Sequence, residues 1–261
     1  PIDCFAICSP CPYLSSLAFI SFFQTGTKNF FDHAWQRRKS YSDGYFTNTR
    51  LDQWSNMMSF NTLPEDIRSR LEAGSLLSLE LGCGDHKRHP EAVGIDSLKY
   101  DGVDIVGDIE TVLSLLPENC VSAVYSYHCF EHLTNLGQLM GDLGRIMVPS
   151  ARLKVVVPHF SNPYYYSDAT HRQPFGLYTF SYYAKDSIFS RQCPTYQRKI
   201  QFELKSVDLI FKSPKPFYVR YGLKKIVQGV VNLNRYFKEY YEENLCWLLP
   251  CYELHYEMVR L

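Results

Sequence analysis

Several side chains that could bind a ligand stand where short apolar runs of the sequence end. The first run passes through an acid into two glycines, in the motif Glu80-Leu-Gly82-Cys83-Gly84. Such a run is typical of a buried parallel strand, and the glycines let the backbone turn tightly and approach a ligand. Nucleotide-like cofactors are commonly held in this way. The third glycine of the dinucleotide fingerprint is missing, so the turn alone predicts only a nucleotide-like ligand.

Three later apolar runs end in a side chain that could bind a ligand or move a proton. These side chains are Asp96, Asp108 and His128. The carboxyl ends of parallel strands gather along one edge of an open sheet, so we expect these side chains to lie near one another. A carboxylate offers two acceptor oxygens and therefore matches a ribose diol. The alternative for each carboxylate is a helix cap or a turn residue.

The elements that must position these side chains follow from apolar periodicity. Helices are expected over Leu63–Leu71 and Leu133–Met147, and a strand over Arg152–Pro158. Alternating apolar and polar residues predict two final strands, Lys199–Phe211 and Cys251–Leu261. The distance from Gly84 to Asp96 is too short for a full crossover helix, which predicts a turn there instead.

Four segments, taken in order, resemble the successive motifs of class I S-adenosylmethionine-dependent methyltransferases. They are Glu-Leu-Gly-Cys-Gly, Gly-Ile-Asp, Val-Asp-Ile-Val-Gly-Asp-Ile-Glu and Tyr-Ser-Tyr-His-Cys-Phe-Glu-His-Leu, within residues 60–190. Pro158-His159, followed by Ser167-Asp-Ala-Thr-His-Arg172, is similar to bacterial methyltransferases of surface-polysaccharide and sugar gene clusters. The resemblance implies S-adenosyl-L-methionine as cofactor and polysaccharide biosynthesis as a setting.

The fold expected from the periodicity and the resemblance is α/β and Rossmann-like. It is a doubly wound, mostly parallel seven-stranded sheet with an antiparallel last strand. Residues 60–261 would form this domain, with a helical insertion at about 215–247 and an N-terminal extension over 1–59.

The resemblance also implies roles for the residues at the strand ends. Gly82 and Gly84, with Cys83 between them, would approach the methionine moiety, and Glu80 would organise the turn or receive the amino group. Asp96 would accept both ribose hydroxyls. Two further residues complete the expected cofactor site: Asp108 would accept from the adenine amine, and Ile109 would cover the ring.

Methyl transfer requires an acceptor aligned with the carbon–sulfur bond, and a hydroxyl acceptor must also lose its proton. His128 is the first candidate for the general base, because an imidazole with its ordinary pKa of about 6.5 accepts protons at neutral pH. Asp168 and His171 could form a carboxylate–imidazole pair that orients or deprotonates a sugar hydroxyl, or a hydrogen bond that stabilises the loop. Glu131 and His132 are expected to cap the following helix.

The amino-acid composition restricts the classes of molecule that the protein is expected to bind. Lys+Arg and Asp+Glu are equal at 27 each, which disfavours nucleic acid and leaves a small-molecule or sugar-containing substrate. Nine cysteines in no regular pairing favour reduced thiols and a cytoplasmic location, and their spacing from histidines in the core predicts no metal site. No apolar run is long enough for a transmembrane segment.

The apolar stripe of Tyr221–Tyr241 has several possible partners. It would pack on the domain or on a second subunit, giving a homodimer, or would contact a membrane surface or a lipid-linked substrate.

Two alternatives remain at the level of sequence. Cys4, Cys8 and Cys11 have the spacing by which radical S-adenosylmethionine enzymes hold an iron–sulfur cluster, although a cysteine-rich tail is the plainer interpretation. A protein that binds S-adenosylmethionine without catalysis would keep Asp96 and the glycine turn and need no base.

The polar and aromatic stretch Trp35–Trp54 is interpreted as either a lid over the cofactor or a solvated connector.

Overall fold

The computed structural model describes residues 60–185, 188–194, 196 and 201–261, all of which belong to one unit, Leu51–Leu261. The Cys4, Cys8 and Cys11 motif and the stretch Trp35–Trp54 lie outside the described residues. No helix in the described part of the chain is both long and apolar enough to cross a membrane.

Seven strands form one sheet in the order β3-β2-β1-β4-β5-β7-β6. The first five strands run parallel, and β7 runs antiparallel to both of its neighbours, which confirms the Rossmann-like α/β fold with an antiparallel last strand. The strands are β1 (Leu77–Leu81), β2 (Val93–Asp96), β3 (Ile105–Val106), β4 (Val121–Tyr127), β5 (Met147–Pro158), β6 (Phe202–Ile210) and β7 (Glu253–Arg260). Alternate leucines of β1 are fully buried, as expected of a strand in the middle of a covered sheet.

Five α-helices lie among the described residues. They are α1 (Glu65–Glu72), α2 (Ile109–Leu115), α3 (Leu136–Ile146), α4 (Tyr218–Val231) and α5 (Arg235–Asn244). Asn135 caps α3, since its side chain accepts from the backbone N–H of Gln138 at 3.1 Å. The prediction that Glu131 and His132 cap this helix is therefore wrong, because both lie in a separate 3-10 turn, Phe130–His132.

The first crossover is a loop without a helix, as the short spacing predicts. Residues between β1 and β2 form turns, and the ring of His89 stacks on Tyr125 with 3.6 Å between ring centroids. The guanidinium of Arg88 lies over the ring of Tyr127 at 4.1 Å. These flat side chains cover part of β4 in place of a first crossover helix.

The structure divides the helical insertion into two helices, and it bears on one of the alternatives expected for the apolar stripe, which is packing on the domain. The helical pattern over Tyr221–Tyr241 is broken after α4, where the side chain of Asn232 turns back to bind the backbone of Leu209. Most of the apolar stripe does not pack on the described domain: Val227 is partly buried against the core, whereas the other members stay exposed. Those exposed members are Leu223, Ile226, Val230 and Leu233.

Candidate active site at the carboxyl ends of the strands

The strand order reverses between β1 and β4, and in open α/β sheets ligands bind outside the carboxyl ends of the strands at such a point. The register aligns these ends, because Leu81 pairs with Ile95 on β2 and with Ser126 on β4. The glycine turn, Asp96 and His128 therefore reach the same edge of the sheet, as the sequence predicts.

The two glycines of the turn serve different purposes. Both have positive φ, +67° at Gly82 and +57° at Gly84. A Cβ on Gly82 would lie 2.6 Å from the Cβ of Cys129, so this glycine lets the end of β1 pack against the second residue after β4. A Cβ on Gly84 would meet no described atom within 4 Å. Only Gly84 thus presents bare backbone to open space, where a ligand could approach.

Cys83 points its side chain into the protein. Its Sγ would lie 2.8 Å from a Cβ built on Gly94, and burial raises the pKa of the thiol to about 11. Any contact of Cys83 with a cofactor would therefore be made by its backbone.

Glu80 organises the loop after the turn, which is one of the two roles expected for it. The side chain is only 2% exposed, and its two oxygens accept from the backbone N–H groups of Arg88 at 3.0 Å and His89 at 2.8 Å. A buried carboxylate with two donors is well compensated for the loss of water. The loop that replaces the first helix is thereby fastened to β1.

Asp96 holds the glycine turn against β2. One oxygen, Oδ2, accepts from the Gly84 N–H at 2.9 Å, and the other, Oδ1, accepts from the Leu98 N–H at the same distance. Each carboxylate oxygen can accept more than one hydrogen bond, so both remain able to receive a ribose hydroxyl.

Asp108 is the N-cap of α2, which is the helix-cap alternative left open by the sequence. Its Oδ2 accepts from the Thr111 N–H at 2.9 Å and from the Thr111 hydroxyl at 3.0 Å. Ile109, the first residue of α2, is largely buried in the core. Its side chain therefore contributes mainly to packing, and the expected contact with an adenine ring stays a prediction.

His128 lies between two buried carboxylates. Its Nδ1 is 3.5 Å from Oε1 of Glu131, and its Nε2 is 3.3 Å from Oε2 of Glu253. These two acids raise the pKa of His128 from 6.5 to about 9, against the opposing effect of burial. The expectation of an ordinary pKa is not met, because a pKa of about 9 favours the protonated imidazole at neutral pH. The role of His128 as the general base stays a prediction.

The two acids were not assigned to the site from sequence. Glu131 is 1% exposed, and Glu253 accepts from Lys212 and His255 at 2.7 Å each. Burial alone would raise the pKa of Glu253, but contacts with His128, His255 and Lys212 hold it well below its usual value. The alternating pattern of β7 gives no signal for this role, because the position of Glu253 depends on β7 inserting beside β5.

A cavity of about 290 Å³ opens at this edge, and it brings together the three predicted catalytic residues. Oδ2 of Asp168 lies 3.6 Å from Nε2 of His171, so the carboxylate and the imidazole face each other beyond hydrogen-bond distance. Hydrogen bonds from Thr170 hold the pKa of Asp168 below its usual value. The lining consists of His128, Glu131, His132, Pro158, Asn162, Tyr164, Tyr165, Asp168, His171 and Tyr252. A larger cavity of about 490 Å³ near the start of α3 is lined by no acid, histidine, lysine or arginine, so it offers less chemistry.

No family model matches the sequence, and no curated protein matches it. Three solved structures similar to this one are methyltransferases by their descriptions. A SAM-dependent methyltransferase from Archaeoglobus fulgidus is 15% identical, with a TM-score of 0.48 over 82% of this chain and 100% of that one. The 16S rRNA (adenine(1408)-N(1))-methyltransferase of Catenulisporales acidiphilia, with cosubstrate SAM, is 15% identical. Its TM-score is 0.42, over 76% of this chain and 92% of that one.

The third is the Haemonchus contortus phosphoethanolamine N-methyltransferase 2 in complex with S-adenosyl-L-methionine. It is 13% identical, with a TM-score of 0.41 over 85% of this chain and 59% of that one. Because these identities and scores are low, function has to be inferred from the residues of this chain.

Proposed function

We propose that the protein is an S-adenosylmethionine-dependent methyltransferase whose acceptor is a hydroxyl, or less favourably an amine, of a sugar-containing or other small polar metabolite. The observation that carries the proposal is the 2.9 Å contact of Asp96 with the Gly84 N–H. This hydrogen bond brings the carboxylate to which we assign the ribose diol beside the open glycine turn, at the point where the strand order reverses.

The cofactor would lie along this edge. The Asp96 carboxylate would bind the ribose diol, and the bare backbone at Gly84 would allow the methionine moiety to approach. Asp108 would contribute its second oxygen to the adenine amine. This direction along the sheet would bring the sulfonium methyl toward His128 at the end of β4, next to the 290 Å³ cavity.

The reaction needs little from the protein beyond alignment and proton removal. The acceptor oxygen forms a bond to the methyl carbon, the carbon–sulfur bond breaks, and sulfur keeps the electron pair as a neutral thioether. The hydroxyl proton must pass to a base. Because the raised pKa of His128 favours its protonated form at neutral pH, we assign proton removal to Asp168 or His171, and His128 becomes an ion-pair partner of Glu131 and Glu253.

The cavity suits a hydroxylated acceptor. Tyr164, Tyr165 and Tyr252 line the cavity and would pack against the apolar side of a sugar, and the carboxylate of Asp168 would accept from its hydroxyls. The segment Ser167–Arg172, whose resemblance suggested surface-polysaccharide methyltransferases, contributes Asp168 and His171 to the same cavity. A sugar of such a polymer precursor is therefore the preferred acceptor.

Isothermal titration of the full chain with S-adenosylmethionine tests the cofactor. The Asp96→Asn variant should bind at least about 10-fold more weakly, because a charged hydrogen bond contributes about 1.5–3 kcal/mol. Asp101→Asn, at an exposed turn residue, is the matched control and should bind as the wild type does. No binding by the wild type at millimolar cofactor would refute the proposal.

A second assay tests transfer. S-adenosylhomocysteine release would be measured with nucleotide sugars, sugar phosphates and small amines as acceptors. Release with a sugar acceptor supports the preferred acceptor, and release with small amines alone overturns the preference for a sugar hydroxyl. Tight cofactor binding without release of S-adenosylhomocysteine with any acceptor would instead favour the non-catalytic alternative. The raised pKa of His128 leaves that alternative open.

A further inference from the structure

Three side chains from two separate segments bring atoms that could bind a metal close together at the edge of the 290 Å³ cavity. One ligand atom each from Glu131, His132 and His171 lies within 4.8 Å of the other two. Glu131 and His132 come from the 3-10 turn after β4, whereas His171 comes from the loop after β5. Sequence spacing predicts no metal site because these residues meet only through the fold.

The hydrogen bonds of His171 fix which of its nitrogens is available. Its Nδ1 lies 2.9 Å from the backbone oxygen of Tyr165. A carbonyl can only accept, so Nδ1 carries the hydrogen and the lone pair of the neutral ring is on Nε2.

The same argument applies to His132. Its Nδ1 lies 2.9 Å from the hydroxyl oxygen of Thr170, and that hydroxyl donates its one hydrogen to Oδ1 of Asp168 at 2.6 Å. The oxygen must therefore accept from His132, which again leaves the lone pair on Nε2. Metal-binding histidines are commonly oriented in this way, with the second ring nitrogen donating to a carbonyl or to another protein oxygen.

Glu131 adds a carboxylate with spare capacity. The side chain is 1% exposed, and its Oε2 is buried without a hydrogen-bond partner among the described residues. The other oxygen faces His128 at 3.5 Å, which is too long for a good hydrogen bond. A buried carboxylate oxygen without a donor is costly, and a bound cation would remove that cost.

We propose that Glu131, His132 and His171 bind a divalent cation of the first transition row. Two imidazole nitrogens and one carboxylate oxygen match the ligand preference of Mn²⁺, Fe²⁺, Co²⁺ or Zn²⁺ better than that of Mg²⁺ or Ca²⁺. Bonds of about 2.0–2.2 Å from metal to ligand require the three ligand atoms to move toward one another by roughly 1 Å, which side-chain rotation can supply.

The remaining coordination positions would face the cavity. There the cation would hold one or two hydroxyl oxygens of the acceptor, and Asp168, beside His171, would take the proton of a bound hydroxyl. This role of the cation in binding the acceptor rests on the proposed methyl transfer, whereas the metal site itself does not. A cation in this position would select a sugar with two neighbouring hydroxyls as the acceptor.

The test is a titration of the full chain, stripped with a chelator, with Mn²⁺ followed by electron paramagnetic resonance. Mn²⁺ is the probe because the nine cysteines of the chain favour softer ions. One equivalent should bind, and Glu131→Gln and His132→Ala should each weaken binding by about 10-fold or more. His86→Ala, at a side chain that is 91% exposed, is the matched control and should leave binding unchanged.

Circular dichroism of each variant separates loss of the site from loss of the fold, and the near-isosteric Glu131→Gln keeps the test usable if His132→Ala does not fold. Absence of saturable Mn²⁺ binding, or binding that neither variant weakens, overturns the metal site. S-adenosylmethionine affinity is measured on the same samples. Cofactor binding without metal binding refutes only the metal site, and metal binding without cofactor binding refutes only the proposed function.

Discussion

Nε2 of His128 lies 3.3 Å from Oε2 of Glu253, joining the end of β4 to the start of β7 across the intervening β5. This contact and that with Glu131 raise the pKa of His128 to about 9. In the chelator-treated protein, the imidazole resonances of His128 should therefore titrate with a midpoint near 9. Glu253→Gln removes one of the two charges and should move the midpoint toward 6.5. Glu257→Gln, on the exposed face of the same strand, should leave it unchanged.

The same shift predicts how stability depends on pH. The folded pKa of His128 is above its unfolded value, so its contribution is fully present below about pH 6.5 and is lost as the pH rises through about 9. The free energy of unfolding should fall between these values in the wild type. His128→Gln should show a smaller fall over the same range in urea unfolding, and an equal fall in both proteins would contradict the assignment.

The parts of the site that could be predicted from sequence are those encoded by contiguous residues. The run before Gly82, the glycine turn and Asp96 each follow from a local pattern, and the parallel sheet brings their ends together without further information. The short spacing from Gly84 to Asp96 also predicted the loop that replaces the first helix. It could not predict that His89 would stack on Tyr125 to cover the strand.

The parts that could not be predicted depend on contacts between distant elements. The pKa of His128 is set by Glu131 and by Glu253, and Glu253 reaches the site only because β7 inserts between β5 and β6. His171 meets His132 only through the loop after β5. In these cases the residue type was visible in the sequence, but the neighbour that determines its protonation or ligand role was not.

Alanine substitutions should separate the two glycines of the turn. Each variant places an alanine at positive φ, which costs about 1–2 kcal/mol. Gly82→Ala also forces a methyl group against Cys129, adding about 1–3 kcal/mol of overpacking, whereas Gly84→Ala meets open space. Urea unfolding should show the larger loss for Gly82→Ala. Equal losses would mean that Gly82 does not pack closely on Cys129.

Glu80→Gln should loosen the loop that replaces the first helix. A glutamine offers one acceptor oxygen and turns its NH₂ group toward the other backbone N–H, so one buried hydrogen bond is lost. The expected decrease in the free energy of unfolding is about 2–3 kcal/mol. Hydrogen exchange at the amides of Arg88 and His89 should accelerate as well. Glu118→Gln, at an exposed turn position, is the control, and a similar loss there would argue against a specific role for Glu80.

Substitution of Asp108 can separate helix capping from cofactor binding. Serine is a good N-cap but is too short to reach an adenine amine, whereas alanine can do neither. Asp108→Ala should lower the free energy of unfolding by about 1 kcal/mol, because the Thr111 N–H loses its acceptor, and Asp108→Ser should lower it much less. If Oδ1 also binds adenine, both variants should lose S-adenosylmethionine affinity to a similar degree. Wild-type affinity in Asp108→Ser would restrict Asp108 to its role as a helix cap.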